Sequence, residues 1–147
     1  MIDEPAKLSK AREHLHLVEQ TLVSPDAEFH LEEGFYLLED IIEHKAGDAA
    51  VATTLGETYF TKLLAFIREE LEPRDVPEPR LKHLMKLTQV LGNSSFGKDV
   101  DVPALTAKVA RRYIDSVFEG YSPADKKRAI KGLMVKLGPP YRGKIIE

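Results

Sequence analysis

The sequence predicts an all-α fold of about six helices, packed as helical hairpins in a single compact bundle. Three observations lead there. Apolar residues recur at steps of three and four along most of the chain, and no stretch alternates apolar with polar residues as a half-buried strand would. Prolines, glycines and capping residues cut that pattern into pieces of ordinary helix length. The connections between the pieces are short, so consecutive helices should lie side by side.

The first helix is expected over about 4–22, where Leu8, Ala11, Leu15, Val18 and Leu22 form one stripe. Ser24 then reads as an N-cap and Pro25 as the first residue of the second helix, with Asp26 and Glu28 suited to its positive end. That helix runs to about 45 and turns Leu31, Gly34, Phe35, Leu38, Ile41 and Ile42 inward. "AGDA" stops it, with Gly47 as the break and Asp48 as the next cap. The third helix, about 49–71, is apolar around much of its circumference and is expected to be the central one.

"EPRDVPEP" carries three prolines and cannot be helical through its middle. The fourth helix follows over about 79–91, with Leu81, Leu84, Met85, Thr88 and Leu91 inward and Gly92 as its end. "GNSSFGKDVD" is the longest loop. Asp101 then caps a fifth helix that begins at Pro103 and stops before Gly120. Ser122 caps the sixth, over 123–137, which packs through Ala129, Ile130, Leu133, Met134 and Leu137. The domain is expected to span 1–138, with 139–147 as an extended tail.

With 147 residues, 43% hydrophobic and 31% charged, the chain can bury a core of its own and does not have the composition of a disordered protein. No apolar run approaches the roughly 18–20 residues of a membrane span. There is no cysteine, which excludes disulfides and thiolate metal sites. "MIDEPAKLSK" lacks the apolar core of a signal peptide, so a cytoplasmic location is expected.

The net charge of −3 is spread unevenly: −10 over 1–75, +1 over 76–103 and +6 over 104–147. The two ends should attract each other, either within one chain or head-to-tail between copies, or the basic end meets an anionic partner.

One stretch, "VATTLGETYF" at 51–60, resembles the opening of a tetratricopeptide helix through Leu55, Gly56 and Tyr59. A turn falls near 46–49 as that motif requires, and Gly34 and Leu38 stand at the matching positions of the preceding helix. The likeness covers about thirty residues and its register breaks on both sides, at Ser24-Pro25 and at Pro73 and Pro77. It implies one tetratricopeptide-like hairpin, with Gly34 and Gly56 near enough to share a helix crossing, inside a bundle that is not a repeat array.

Chemistry-bearing patterns are few. Glu13-x-x-His16 has the spacing of a bundle metal-ligand pair, but such centres need two of these motifs and further inward glutamates. Asp40 and His44 lie one turn apart near a helix C-terminus, where a cationic histidine is favoured without catalysis. Phosphate-binding glycine loops and nucleophile elbows do not occur, so neither an enzyme nor a cofactor is expected.

The expected function is a non-enzymatic protein–protein interaction domain that binds itself or serves as an adaptor subunit. Its candidate contact residues are Tyr59 and Phe60 near the hairpin, with Tyr141, Ile145 and Ile146 in the tail. The alternative is a nucleic-acid-associated protein that holds phosphates through Lys108, Arg111, Arg112, Lys126, Lys127, Arg128 and Lys131 of the last two helices. Salt separates the two, because phosphate contacts weaken steeply with ionic strength.

Overall fold

A computed structural model describes residues 4–44 and 47–137. Those residues form six helices and, among them, no strand: α1 (Glu4–Gln20), α2 (Asp26–Glu43), α3 (Ala49–Glu70), α4 (Glu78–Asn93), α5 (Val102–Val117) and α6 (Pro123–Leu137). The expected all-α architecture is therefore the observed one. The predicted tail, with Tyr141, Ile145 and Ile146, lies outside the described residues.

Two hairpins, α1–α2 and α4–α5, make the most extensive helix contacts; α3 lies against α2 and α4, and α6 rests on α5. The hairpins form because each helix carries one apolar stripe. Ala11, Leu15 and Val18 of α1 are fully buried, as are Leu31 and Leu38 of α2. Gly34 lets these two helices close: a β-carbon there would stand 2.9 Å from the Leu15 side chain.

The helix ends follow the local chemistry that predicts them. Asp101 accepts a hydrogen bond from the Ala104 N–H at 3.1 Å, and Ser122 Oγ accepts from the Asp125 N–H at 3.2 Å. Ser24 Oγ accepts from the Asp26 N–H at 3.2 Å, although regular helix starts one residue later than the sequence predicts. Gly120 ends α5 at φ +90°, a conformation that L side chains rarely adopt. α4 continues through Gly92 to Asn93, because Ser94 rather than the glycine bonds back to Leu91 O.

The expectation that the third helix is the central one is not met. Half of the sixteen residues of α4 are buried, including His83, Leu87 and Val90 beyond the predicted stripe. It is packed by α5 on one side and by α2 and α3 on others. His83 tolerates burial because its Nε2 lies 2.6 Å from Leu22 O and donates to that carbonyl. α3, by contrast, leaves Val51 exposed and carries a polar outer face of threonines.

Candidate functional site

The stretch that carries the tetratricopeptide likeness is a structural junction. Gly56 of α3 does not meet Gly34. A β-carbon on it would stand 2.2 Å from the ring of Phe96, which the loop between α4 and α5 lays across the helix. One helical turn on, Phe60 is covered by Gly97 of the same loop, where an added β-carbon would stand 2.1 Å from the Phe60 ring. Helix and loop thus each offer an aromatic ring to the other's glycine, and Gly97 adopts φ +64° in doing so. Phe35 completes the cluster, its ring centroid 5.0 Å from that of Phe96.

Two carboxylates hold the backbone of this loop. Glu57 accepts from the Gly97 N–H at 3.1 Å, and Glu39 of α2 accepts from the Ser95 N–H at 2.6 Å. Charged acceptors for backbone donors are the stronger class of hydrogen bond. Two of the acids in the negative first half of the chain therefore act as loop anchors. Ile42, Thr53, Glu57 and Phe96 line the shallow cleft beside this clamp.

The predicted contact residues accordingly fare differently. Phe60 is 2% exposed and belongs to the core, so it offers no surface to a partner. Tyr59 is half-buried and donates its hydroxyl to Glu19 Oε1 at 2.7 Å, while Lys62 donates to Glu19 Oε2 at 3.2 Å and lies 5.0 Å from the tyrosine ring centroid. This small network ties α3 to α1. Burial, and then the negative carboxylate that accepts its hydrogen bond, push the Tyr59 hydroxyl up to about 12. The tyrosine and lysine hydrogen bonds hold the Glu19 carboxyl below its usual value.

A raised folded-state pKa keeps its proton, so Tyr59 contributes stability that is present below its ordinary value near 10 and lost as pH rises toward about 12. Tyrosinate absorbance should then show Tyr59 ionising about two pH units above the ordinary value near 10. In Tyr59→Phe that late step should vanish and alkaline stability should fall less steeply across the same window.

The seven basic candidates are not one free patch. The Arg112 guanidinium is spent on the backbone of the α3–α4 connection, donating to the carbonyls of Leu71, Pro73 and Arg74. It caps the C-terminus of α3 and is not placed for phosphate. Lys126 pairs with Asp115 at 3.4 Å, and Arg128 with Asp125 at 3.2 Å. Arg111 is half-buried, whereas Lys108, Lys127 and Lys131 are exposed.

The histidines of the two sequence patterns make local contacts. Glu13 and His16 are both exposed, and His16 bonds to Gln20 one turn on. His44 Nδ1 donates to Asp40 O at 2.8 Å, at the end of α2, while Lys7 from α1 holds the Asp40 carboxylate at 2.5 Å. That lysine bond is the main reason the Asp40 carboxyl sits below its usual value. Among the described residues, no group of three or more His, Asp or Glu side chains is placed to hold a metal ion, and no helix is long and apolar enough to cross a membrane.

The surface that pattern reading missed is the outer face of α2. Phe29 and Tyr36, two turns apart, are 56% and 64% exposed, with Glu32 between them and Glu43 two turns beyond Tyr36. The signal was present as apolar residues seven apart on the side of the helix opposite the predicted stripe. Phe29 is held in place by the edge of the His14 ring at a centroid distance of 6.1 Å, and His14 and His30 contact through their Nδ1 atoms at 3.1 Å.

Comparison with protein-family models, with curated proteins and with solved structures returned no match.

Proposed function

We propose that the chain is a non-enzymatic protein–protein interaction domain, acting on itself or as an adaptor subunit in the cytoplasm, through the outer face of α2. The exposure of Phe29 and Tyr36 at helical spacing carries this reading, because two large aromatic rings on one face are worth most when a partner removes them from water. The clamp around Gly56 and Gly97 and the Tyr59–Glu19 network serve the same end indirectly, the first by joining α2 and α3 through the α4–α5 loop and the second by joining α3 to α1. For the nucleic-acid alternative Lys108, Lys127 and Lys131 remain as exposed bases, since Arg112, Lys126 and Arg128 are engaged within the chain and Arg111 is half-buried.

A photo-crosslinking side chain placed at 36 should capture a protein in cells that make this chain natively. The same probe at the exposed position 61 on α3 should capture none. No adduct at 36, or the same adducts at both positions, would overturn the reading.

A further inference from the structure

The charge asymmetry of the chain survives the side-chain ion pairs recorded among the described residues. Lys7–Asp40 and Lys62–Glu19 join partners within the acidic first half, Arg80–Glu70 joins the middle of the chain to it, and Lys126–Asp115 and Arg128–Asp125 join partners within the basic last part. Glu32 and Glu43 on the outer face of α2 have no ion-pair partner among the described residues, and neither have Lys127 and Lys131 on the outer face of α6. Two faces of opposite charge are thus left open at different places on one body.

Each of these faces also carries what a helix crossing needs. On α2 Glu32 lies between Phe29 and Tyr36, and Glu43 lies two turns beyond Tyr36. On α6 the bases flank Val135, which is 52% exposed, and Gly132, whose missing β-carbon has no atom within 4 Å among the described residues. Glycine weakens a helix interior, and at Gly56 and Gly34 a close neighbour occupies the space it leaves. At Gly132 nothing in the described chain does. The open space at Gly132, beside Arg128, Lys131 and Val135 on the helix, leaves room for an aromatic ring on an acidic helix to approach the backbone.

We infer that a second copy of this chain covers these faces, with α2 of each protomer laid on α6 of the other in a two-fold dimer. The inference rests on the interaction reading above and names its partner. A closed two-fold pair satisfies both faces of both copies, whereas a head-to-tail contact leaves one of each open and grows into a filament. Two reciprocal crossings also approach the roughly 1,200–2,000 Å² that stable interfaces bury more readily than one crossing would. The opposed charges set the register and speed the encounter.

Sedimentation of the full chain should show a reversible dimer that weakens when salt is raised to about 0.5 M, where the screening length falls below about 5 Å. The variant K127E/K131E and the variant E32K/E43K should each raise the dimer dissociation constant by at least about tenfold, with helical circular dichroism unchanged. Gly132→Leu should do the same by filling that space. Mixing the two charge variants should restore a heterodimer, because each acidic helix then meets a basic one at both crossings.

A wild-type monomer at every concentration, growth of the assembly past the dimer, or a mixture that stays monomeric would overturn the inference. If the chain is monomeric while the probe at 36 still captures another protein, the dimer falls and the interaction reading stands. If the probe captures nothing and the chain is monomeric, both fall.

Discussion

Phe60→Ala is expected to lower the unfolding free energy by about 3–5 kcal/mol, the usual range for emptying a buried phenylalanine site. The ring is 2% exposed, lies among the largest buried side chains of the core, and is sealed from the loop side by Gly97. Alanine cannot fill that space, and Gly97 has no side chain to collapse into it. A domain of this size is stable by about 5–15 kcal/mol, so the variant keeps only part of its margin. Urea unfolding of the two proteins checks this. A change below about 1 kcal/mol would mean that Phe60 is not the buried anchor described here. The same result separates a core role from the contact role expected of this residue in the sequence, since a surface contact would be lost without loss of stability.

Gly97→Ala should be the next most damaging change, at about 2–5 kcal/mol. Two independent costs add. A left-handed backbone costs an L residue about 1–2 kcal/mol, and Gly97 stands at φ +64°. An added methyl would also stand 2.1 Å from the Phe60 ring, an overlap of the kind that costs about 1–3 kcal/mol in packed cores. Gly97→Asn tests the division, because asparagine tolerates the left-handed backbone but still meets the ring; it should remain destabilising. Gly56→Ala is the companion case. Helix propensity alone favours alanine by about 1 kcal/mol, yet its methyl would stand 2.2 Å from Phe96, so the net effect should be destabilising. In a Phe96→Ala background the sign should reverse, and a double-mutant cycle measured by chemical unfolding reads that coupling.

These predictions centre on one junction, and it shows how much of the molecule is written locally. Six helices, their approximate ends and most of their buried stripes are legible from spacing and capping. Asp101 and Ser122 cap helices because hydroxyl and carboxylate oxygens reach N–H groups two or three residues away, a relation that needs no tertiary structure. Gly120 likewise announces a helix end on its own. The absence of a thiol framework and the charge division between the two ends are equally plain in the residues themselves.

The candidate sites were less legible because their partners lie far off in sequence. "LGETYF" shows a glycine and an aromatic residue one turn apart, which fits a helix–helix crossing as well as it fits the loop clamp that the structure contains. Only the path of 94–101 back across α3 decides that Phe96, forty residues on, occupies the space at Gly56. The enclosure of α4 was hidden for a similar reason. Its periodic pattern names one face, and the burial of His83 depends on Leu22 O, 61 residues earlier, waiting to accept its proton.

Arg112 illustrates the same division in electrostatic terms. In the sequence it is one of seven basic candidates on the last two helices. In the fold its guanidinium meets three carbonyls at the frayed end of α3, where unsatisfied acceptors and the negative pole of the helix draw a cation. Phe29 and Tyr36 stand as exposed aromatics only once α1, α3 and α4 have taken the other faces of α2. The sequence by itself determined the helices, because helix formation and capping depend on neighbours within about four residues. The tertiary structure alone decided which glycine receives which ring, which cations are spent inside the chain and which faces stay open, because those outcomes depend on contacts between residues tens of positions apart.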